Sequence, residues 1–294
     1  MVKLPLRLLL TVPFMVLLLG TVGVTGYLAH RNSQQTVNHL AATLQDEIND
    51  RVVQYLDHYL QAPVLINQIN LDAFKLGQLS LDNKLQLESY LLQQLHQFKA
   101  VSYITISDSQ GKFLSANRYP QLSLLVSDPI MAGQVQYYEV DAQGRKTRLI
   151  TSFPLARVQQ RPWYRAATLA GRMVRVPIFQ LGDGSDFSIN VSSPIVDAKT
   201  GQFRGVISAA SDLGFFRQFL TTVEVGQTGR LFIVERNGLL VGASTREPVF
   251  TVDQQKGPAQ LKRRLAQDSR DSLIQATSQE LLRQFGSWQA ITSN

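Results

Sequence analysis

The chain has 294 residues, 44% of them hydrophobic and 17% charged, which is the balance of a folded protein with room for one large or two small cores and not of a disordered one. It contains no cysteine, and this excludes disulfides, thiolate zinc sites and cysteine nucleophiles. The net charge of +7 comes from scattered residues apart from Arg145-Lys146 and Lys262-Arg263-Arg264, neither of them interleaved with aromatics, which argues against nucleic acid as a partner.

Residues 1–30 read as a short cytoplasmic start and a transmembrane anchor. Leu8 to Leu28 carries no charged side chain and matches the ~20 residues that cross a bilayer as a helix. Lys3 and Arg7 precede it, which keeps the N-terminus cytoplasmic and sends the rest to the periplasmic or extracellular side of the plasma (inner) membrane. A cleaved signal peptide is the competing reading. Its apolar core should be shorter, at ~7–15 residues, and Tyr27-Leu28-Ala29-His30 is a poor cleavage site.

Residues 31–100 read as a stalk and a second helix. From Asn32 to about Ile66 apolar residues recur three or four apart: Val37, Leu40, Ala41, Leu44, Ile48, Val52, Tyr55, Leu56 and Tyr59. That stripe suits packing on the chain's own domain, on a second copy as a homodimer, or on both. Pro63 is expected to kink or end this helix, with a connector over Asn67–Gly77 and an amphipathic helix over Leu85–Phe98.

Residues 101–222 change to strand periodicity. Val101–Ile106 and Lys112–Ser115 flank the turn Asp108-Ser109-Gln110-Gly111, and Tyr137–Val140 and Arg148–Phe153 flank Asp141-Ala142-Gln143-Gly144. Arg161-Pro162-Trp163-Tyr164 opens a short helix, Trp163–Leu169. After a basic spacer, Phe187–Val196 and Phe203–Ser211 form a hairpin around Asp197–Gly201, and a helix follows Asp212. Residues 223–294 repeat the strand, glycine turn, strand plan at Leu231–Val234 and Leu239–Ser244, then give helices over Pro258–Gln267 and Asp271–Phe285. The expectation is an α+β fold: a transmembrane helix, a long stalk helix and two tandem antiparallel-sheet modules, the second truncated.

An enzyme needs a constellation that the sequence does not offer. There is no Gly-x-Ser-x-Gly elbow and no phosphate loop. His30, His39, His58 and His96 lack ligand spacing and read as solvated helix residues. Gly182-Asp183-Gly184-Ser185-Asp186 lacks the acids of a calcium loop and reads as a tight turn. No metal or cofactor is expected. What remains is Arg161, Trp163 and Tyr164 at a helix start, with Asp212 at a distant strand end. Such a set can clamp a small polar ligand by a salt bridge, an aromatic wall and an acid, or Arg161 can pair with Asp212 inside the core.

At these residues the chain resembles the double Cache sensor domains of bacterial transmembrane receptors, among them histidine kinases, cyclases and chemoreceptors. The likeness runs from Arg161-Pro162-Trp163-Tyr164 through Gly205-Val206-Ile207 to Asp212. It implies two PAS-like modules outside the membrane, residues 101–222 distal and 223–294 proximal. In members that bind amino acids, the resemblance implies that Arg161 and Trp163 face the ligand carboxylate and Asp212 its amino group. This chain departs from that pattern at Ala156, where a tyrosine is expected, and Tyr137, Tyr138 or Phe153 could supply the aromatic wall instead. The implied function is ligand sensing for a membrane receptor. The alternative is a membrane-tethered structural or interaction protein with no small-molecule ligand.

Overall fold

The structure is a computed structural model that describes residues 6–119, 121–127, 133–154, 157–181, 186–226, 228–253 and 260–291. It forms two compact units, Met1–Gln54 and Tyr55–Asn294. Helix α1 (Leu6–Lys75) makes up the described part of the first unit and opens the second. In the first unit it carries a stretch long and apolar enough to cross a membrane by length and composition, with Phe14 and Leu17 each 67% exposed.

In the second unit α1 corrects the expected break at Pro63: the helix continues to Lys75 through the proposed connector. Proline in a helix interior costs about 3 kcal/mol. Beyond it, however, Ile66 is fully buried and Leu71, Ala73 and Phe74 pack on the same core. At about 1.5–3 kcal/mol for each fully buried large side chain, that burial outweighs the lost hydrogen bond. Helix α2 (Lys84–Gln97) follows after Asn83, whose side chain accepts the Gln86 amide.

Eight antiparallel strands make one sheet: β1 (Tyr103–Asp108), β2 (Phe113–Asn117), β3 (Ser123–Ser127), β4 (Gln134–Val140), β5 (Lys146–Pro154), β6 (Val174–Gln180), β7 (Phe187–Val196) and β8 (Phe203–Asp212). Their spatial order is β5-β4-β3-β2-β1-β8-β7-β6. The sheet therefore closes through the long-range pair β1–β8, with α3 (Pro162–Ala170) inserted between β5 and β6. Gly205 is required at that closure, because a Cβ there would lie 2.3 Å from the Ser107 carbonyl oxygen. The turns at Asp108, Asp141 and Asp197 share one device, a carboxylate that accepts backbone amides two to four residues on.

Strand alternation gives the sheet two faces. Ile104, Ile106, Leu114, Ala116, Leu124, Ile207 and Ala209 pack with α1 and with Leu87, Leu91 and Leu95 of α2. On the opposite face Val206 packs with Trp163, Tyr164 and Ala167 of α3 and with Val158 and Val176. After β8 come α4 (Gly214–Thr222), the pair β9 (Phe232–Val234) and β10 (Leu240–Ala243), the pair β11 (Phe250–Asp253) and β12 (Gln260–Arg263), and α5 (Ser272–Phe285). Tyr59 of α1, Phe216 of α4, Leu240, Ala266 and Ile274 form their common core.

The helix expected over Pro258–Gln267 is a further correction. Gln260–Arg263 pairs as a strand with Phe250–Asp253, and Ala266–Asp268 is a single 3₁₀ turn. Arg263, at 8% exposure, holds this register through hydrogen bonds to the Leu239 and Leu240 carbonyls and an ion pair with Glu235.

Candidate functional site

The site is built on the sheet face that carries α3. Helix α3 starts with Pro162, whose fixed φ suits the first helical position, and ends at Gly171 with φ 63°, a left-handed cap that favours glycine. Arg161 precedes it in extended conformation, so its side chain leaves the helix start and does not run along the helix. Its Nη2 donates to the Gln180 carbonyl at 3.2 Å, and its guanidinium lies 5.9 Å from the centre of the Phe179 ring. Both partners belong to β6, which thereby fixes the arginine.

Between α3 and the sheet lies an open cavity of about 90 Å³. Sheet register places its floor in two rows: Asn190, Ala210, Tyr103 and Asn117 face one another in succession across β7, β8, β1 and β2, and Thr105, Ser115 and Leu125 follow in the next row. The floor is polar and internally bonded. Ser115 donates to Asn117 Oδ1 at 2.8 Å and Ser188 to Asn190 Oδ1 at 2.6 Å, while Asn190 Nδ2 reaches Ser208 at 3.2 Å. The walls are Phe113, Val135, Phe153, Trp163, Phe179 and Leu181. Arg161 is the one formally charged group among the described lining residues. Aromatic walls, a satisfied polar floor and a single guanidinium can hold a small organic molecule and orient an anionic end.

The sequence-derived residues separate here. Arg161, Trp163 and Phe153 line the cavity together. Tyr164 is not among the described lining residues; its ring meets that of Trp163 edge-on at 5.6 Å, and its hydroxyl donates to the Asp108 carbonyl at 3.2 Å. Burial, and secondarily the Asp108 carboxylate, raise its pKa, so it remains a neutral anchor of α3 on the sheet. Tyr137 stands on the cavity face by register, opposite Leu125, but is not in the lining. Its buried hydroxyl has no hydrogen-bond partner among the described residues.

Asp212 sits two residues beyond Ala210 on β8 and does not line the cavity. Its Oδ2 accepts from Ser102 Oγ at 2.6 Å and its Oδ1 from the Phe215 amide at 3.0 Å, in the first turn of α4. Asp186 lies beside it, with its pKa raised by burial first and then by the neighbouring Asp212 charge. Ala156 and the Gly182–Ser185 part of the proposed turn lie outside the described residues. The floor residues Thr105, Ser115, Asn117 and Asn190 escaped the sequence reading. Their signal was present: small polar residues at alternate strand positions on a face that a helix covers.

The profile of the Cache domain matches residues 28–291. Over 92 residues the chain is 26% identical to the methyl-accepting chemotaxis protein McpA of Pseudomonas putida, covering 31% of this chain and 14% of that protein's length. Among solved structures it is similar to the ligand-binding domain of the Pseudomonas aeruginosa amino acid chemoreceptor PctB in complex with L-Gln, at 16% identity and a TM-score of 0.42 over 66% of this chain and 65% of that one. It is also similar to the ligand-binding domain of Mlp24 with asparagine, at 14% identity and a TM-score of 0.46 over 80% of this chain and 95% of that one. With its α+β architecture and a profile match that runs almost end to end, the chain belongs to the Cache domain family, in the double Cache form.

Proposed function

We propose that this chain is the extracytoplasmic ligand-sensing region of a bacterial transmembrane receptor, and that a small organic molecule binds in the cavity between α3 and the sheet. The observation that carries the reading is the joint placement of Arg161, Trp163 and Phe153 on one cavity above a hydrogen-bonded floor. Arg161 takes the anionic end of the ligand, and Trp163 and Phe153 enclose its body. Tyr164 holds α3 in place, and Asp212 secures the start of α4. Family membership supports a sensor.

The chain is anchored once, by the apolar part of α1, with the N-terminus cytoplasmic and the folded part in the periplasm. Two copies in one membrane pair along the stalk. Ligand binding favours one arrangement of α3 and the sheet, and α1 and α4 pass the shift toward the membrane. The energy for that shift is limited to the difference in ligand affinity between the two arrangements.

The test is a thermal-shift screen of amino acids, amines and small carboxylates on the full chain in detergent, repeated with Arg161→Ala. The reading requires a compound that raises the wild-type midpoint and a variant that folds yet loses the rise. Removing a buried Arg–carboxylate contact costs about 2–5 kcal/mol of binding. No hit in any class favours the tethered structural protein. A reporter fused after Asn294 is active on the outer side if the topology is right, and activity in the cytoplasm would refute it.

A further inference from the structure

A second open cavity, of about 460 Å³, lies where α1, α4 and the end of β2 meet, wholly within the second unit. It shares no described lining residue with the α3 cavity. One wall is aromatic and already paired, since Tyr55 stacks on Phe219 with ring centres 3.3 Å apart and on Phe215 at 6.1 Å. Three other lining groups have capacity left. Tyr119 is 43% exposed and enters no ring pair among the described residues. Lys99 is exposed, and its ammonium group has no hydrogen bond or ion pair among them either. Arg118 is fixed from one side: its Nε donates to the Val101 carbonyl at 3.0 Å, and its Nη2 to the Phe98 carbonyl at 2.9 Å and to the Leu95 carbonyl. These contacts anchor the guanidinium on the last carbonyls of α2 and leave Nη1 without a partner among the described residues. Burial lowers the pKa of Arg118, and the groups that raise it again are Tyr119 and Tyr59, with no carboxylate beside them. No described lining residue is acidic, and Pro120, the one undescribed residue next to this lining in sequence, carries no charge.

We infer that this cavity is a second binding site, for a small phosphomonoester with an aromatic body, independent of the α3 cavity. A fixed guanidinium and an ammonium on a flexible stem suit a phosphate, which carries about −1.5 to −2 charge near pH 7 and three acceptor oxygens, and so meets both cations at once. A monoanion neutralises only one of them. The free face of Tyr119 takes the ring of the ligand, and Tyr55 and Phe219 stay stacked on each other behind it. The phosphate and the ring therefore contribute together, and neither group alone holds the site.

The experiment is calorimetric titration of the full chain in non-ionic detergent micelles with phenyl phosphate, set against benzenesulfonate as the monoanion, phenol as the ring alone and inorganic phosphate as the anion alone. Phenyl phosphate should bind saturably and more tightly than each of the three. Lys99→Glu removes one attraction and adds a repulsion at an exposed position, and should weaken it about tenfold or more. Lys84→Glu makes the same change of charge at the other end of α2 and should stay within about threefold of wild type. Tyr119→Ala, also at an exposed position, should weaken it about threefold or more through the lost ring contact. Arg161→Ala, in the other cavity, should leave the affinity unchanged. The inference is overturned if phenyl phosphate does not bind or binds no better than its three fragments. It is equally overturned if Lys99→Glu or Tyr119→Ala keeps the wild-type affinity, if Lys84→Glu weakens binding as much as Lys99→Glu, or if Arg161→Ala abolishes it. None of those results bears on whether amino acids, amines or carboxylates bind beneath α3.

Discussion

Replacing Asp212 tests whether this acid serves the scaffold or the ligand. In Asp212→Ala two contacts disappear together. The Phe215 amide, in the first turn of α4, loses the acceptor that stands 3.0 Å away, a loss comparable to that of a helix cap at about 1 kcal/mol. The Ser102 hydroxyl, 2% exposed, loses its acceptor at 2.6 Å, and a buried donor left unmet costs about 1–3 kcal/mol. The sum is about 2–4 kcal/mol, which for a domain of this size lowers the midpoint by about 5–15 °C. Asp212→Asn retains one acceptor and should lose about half as much. The assay is thermal unfolding of the full chain followed by circular dichroism, with binding of the compound found by the thermal-shift screen measured on the same samples below the transition. The account predicts a lowered midpoint and an affinity within about threefold of wild type. An unchanged midpoint together with lost binding would refute the reasoning and move Asp212 to the ligand.

Asp186 offers a pH test, because its raised pKa means the folded state holds the proton more tightly than the unfolded chain. Between the ordinary aspartate value and the raised one, folded protein binds more protons, so its stability falls as pH rises through that window. Asp186→Asn should match wild type in acid and be the more stable above the window, and a difference independent of pH would contradict this. Tyr137→Phe removes a buried hydroxyl that has no partner among the described residues, and should raise the stability of the ligand-free chain by about 1 kcal/mol in urea unfolding. In the proposed stalk pairing, a cysteine at Leu44, 55% exposed in a single copy, should cross-link between copies more readily than one at Gln45, and equal yields would count against a specific seam.

Much of this architecture was legible because the signals were local. The Asp-led turns, the helix opened by Pro162 and the hairpin from Phe187 to Asp212 follow from residue types a few positions apart. The failures have equally local causes. Pro63 reads as a helix end because the packing of Ile66 and Phe74 that overrides it is a long-range fact. Strand β6 reads as a basic spacer because Pro177 interrupts its strand signal, and the proline is tolerated at a register shift on an edge strand. Residues near 260 read as helix because a four-residue strand leaves too short a pattern to display its period.

The site shows the same division. Arg161 and Trp163 announce themselves by composition and meet at the cavity. Which residue of Ala210 and Asp212 faces that cavity is decided by where β8 ends and α4 begins, a boundary set by tertiary contacts with Ser102 and Tyr59. No spacing rule along the chain contains that information.

The central claim, that small molecules bind between α3 and the sheet, is tested most directly by the fluorescence of Trp163. The chain has two tryptophans, so Trp288→Phe leaves Trp163 as the sole reporter, and it lines the cavity. Titration with the compound that most raises the midpoint in the thermal-shift screen should give a saturable change in its emission, and Arg161→Ala should abolish it. A compound that raises the midpoint while Trp163 emission stays unchanged, and that stabilises Arg161→Ala as much as wild type, would place the ligand elsewhere and contradict the account.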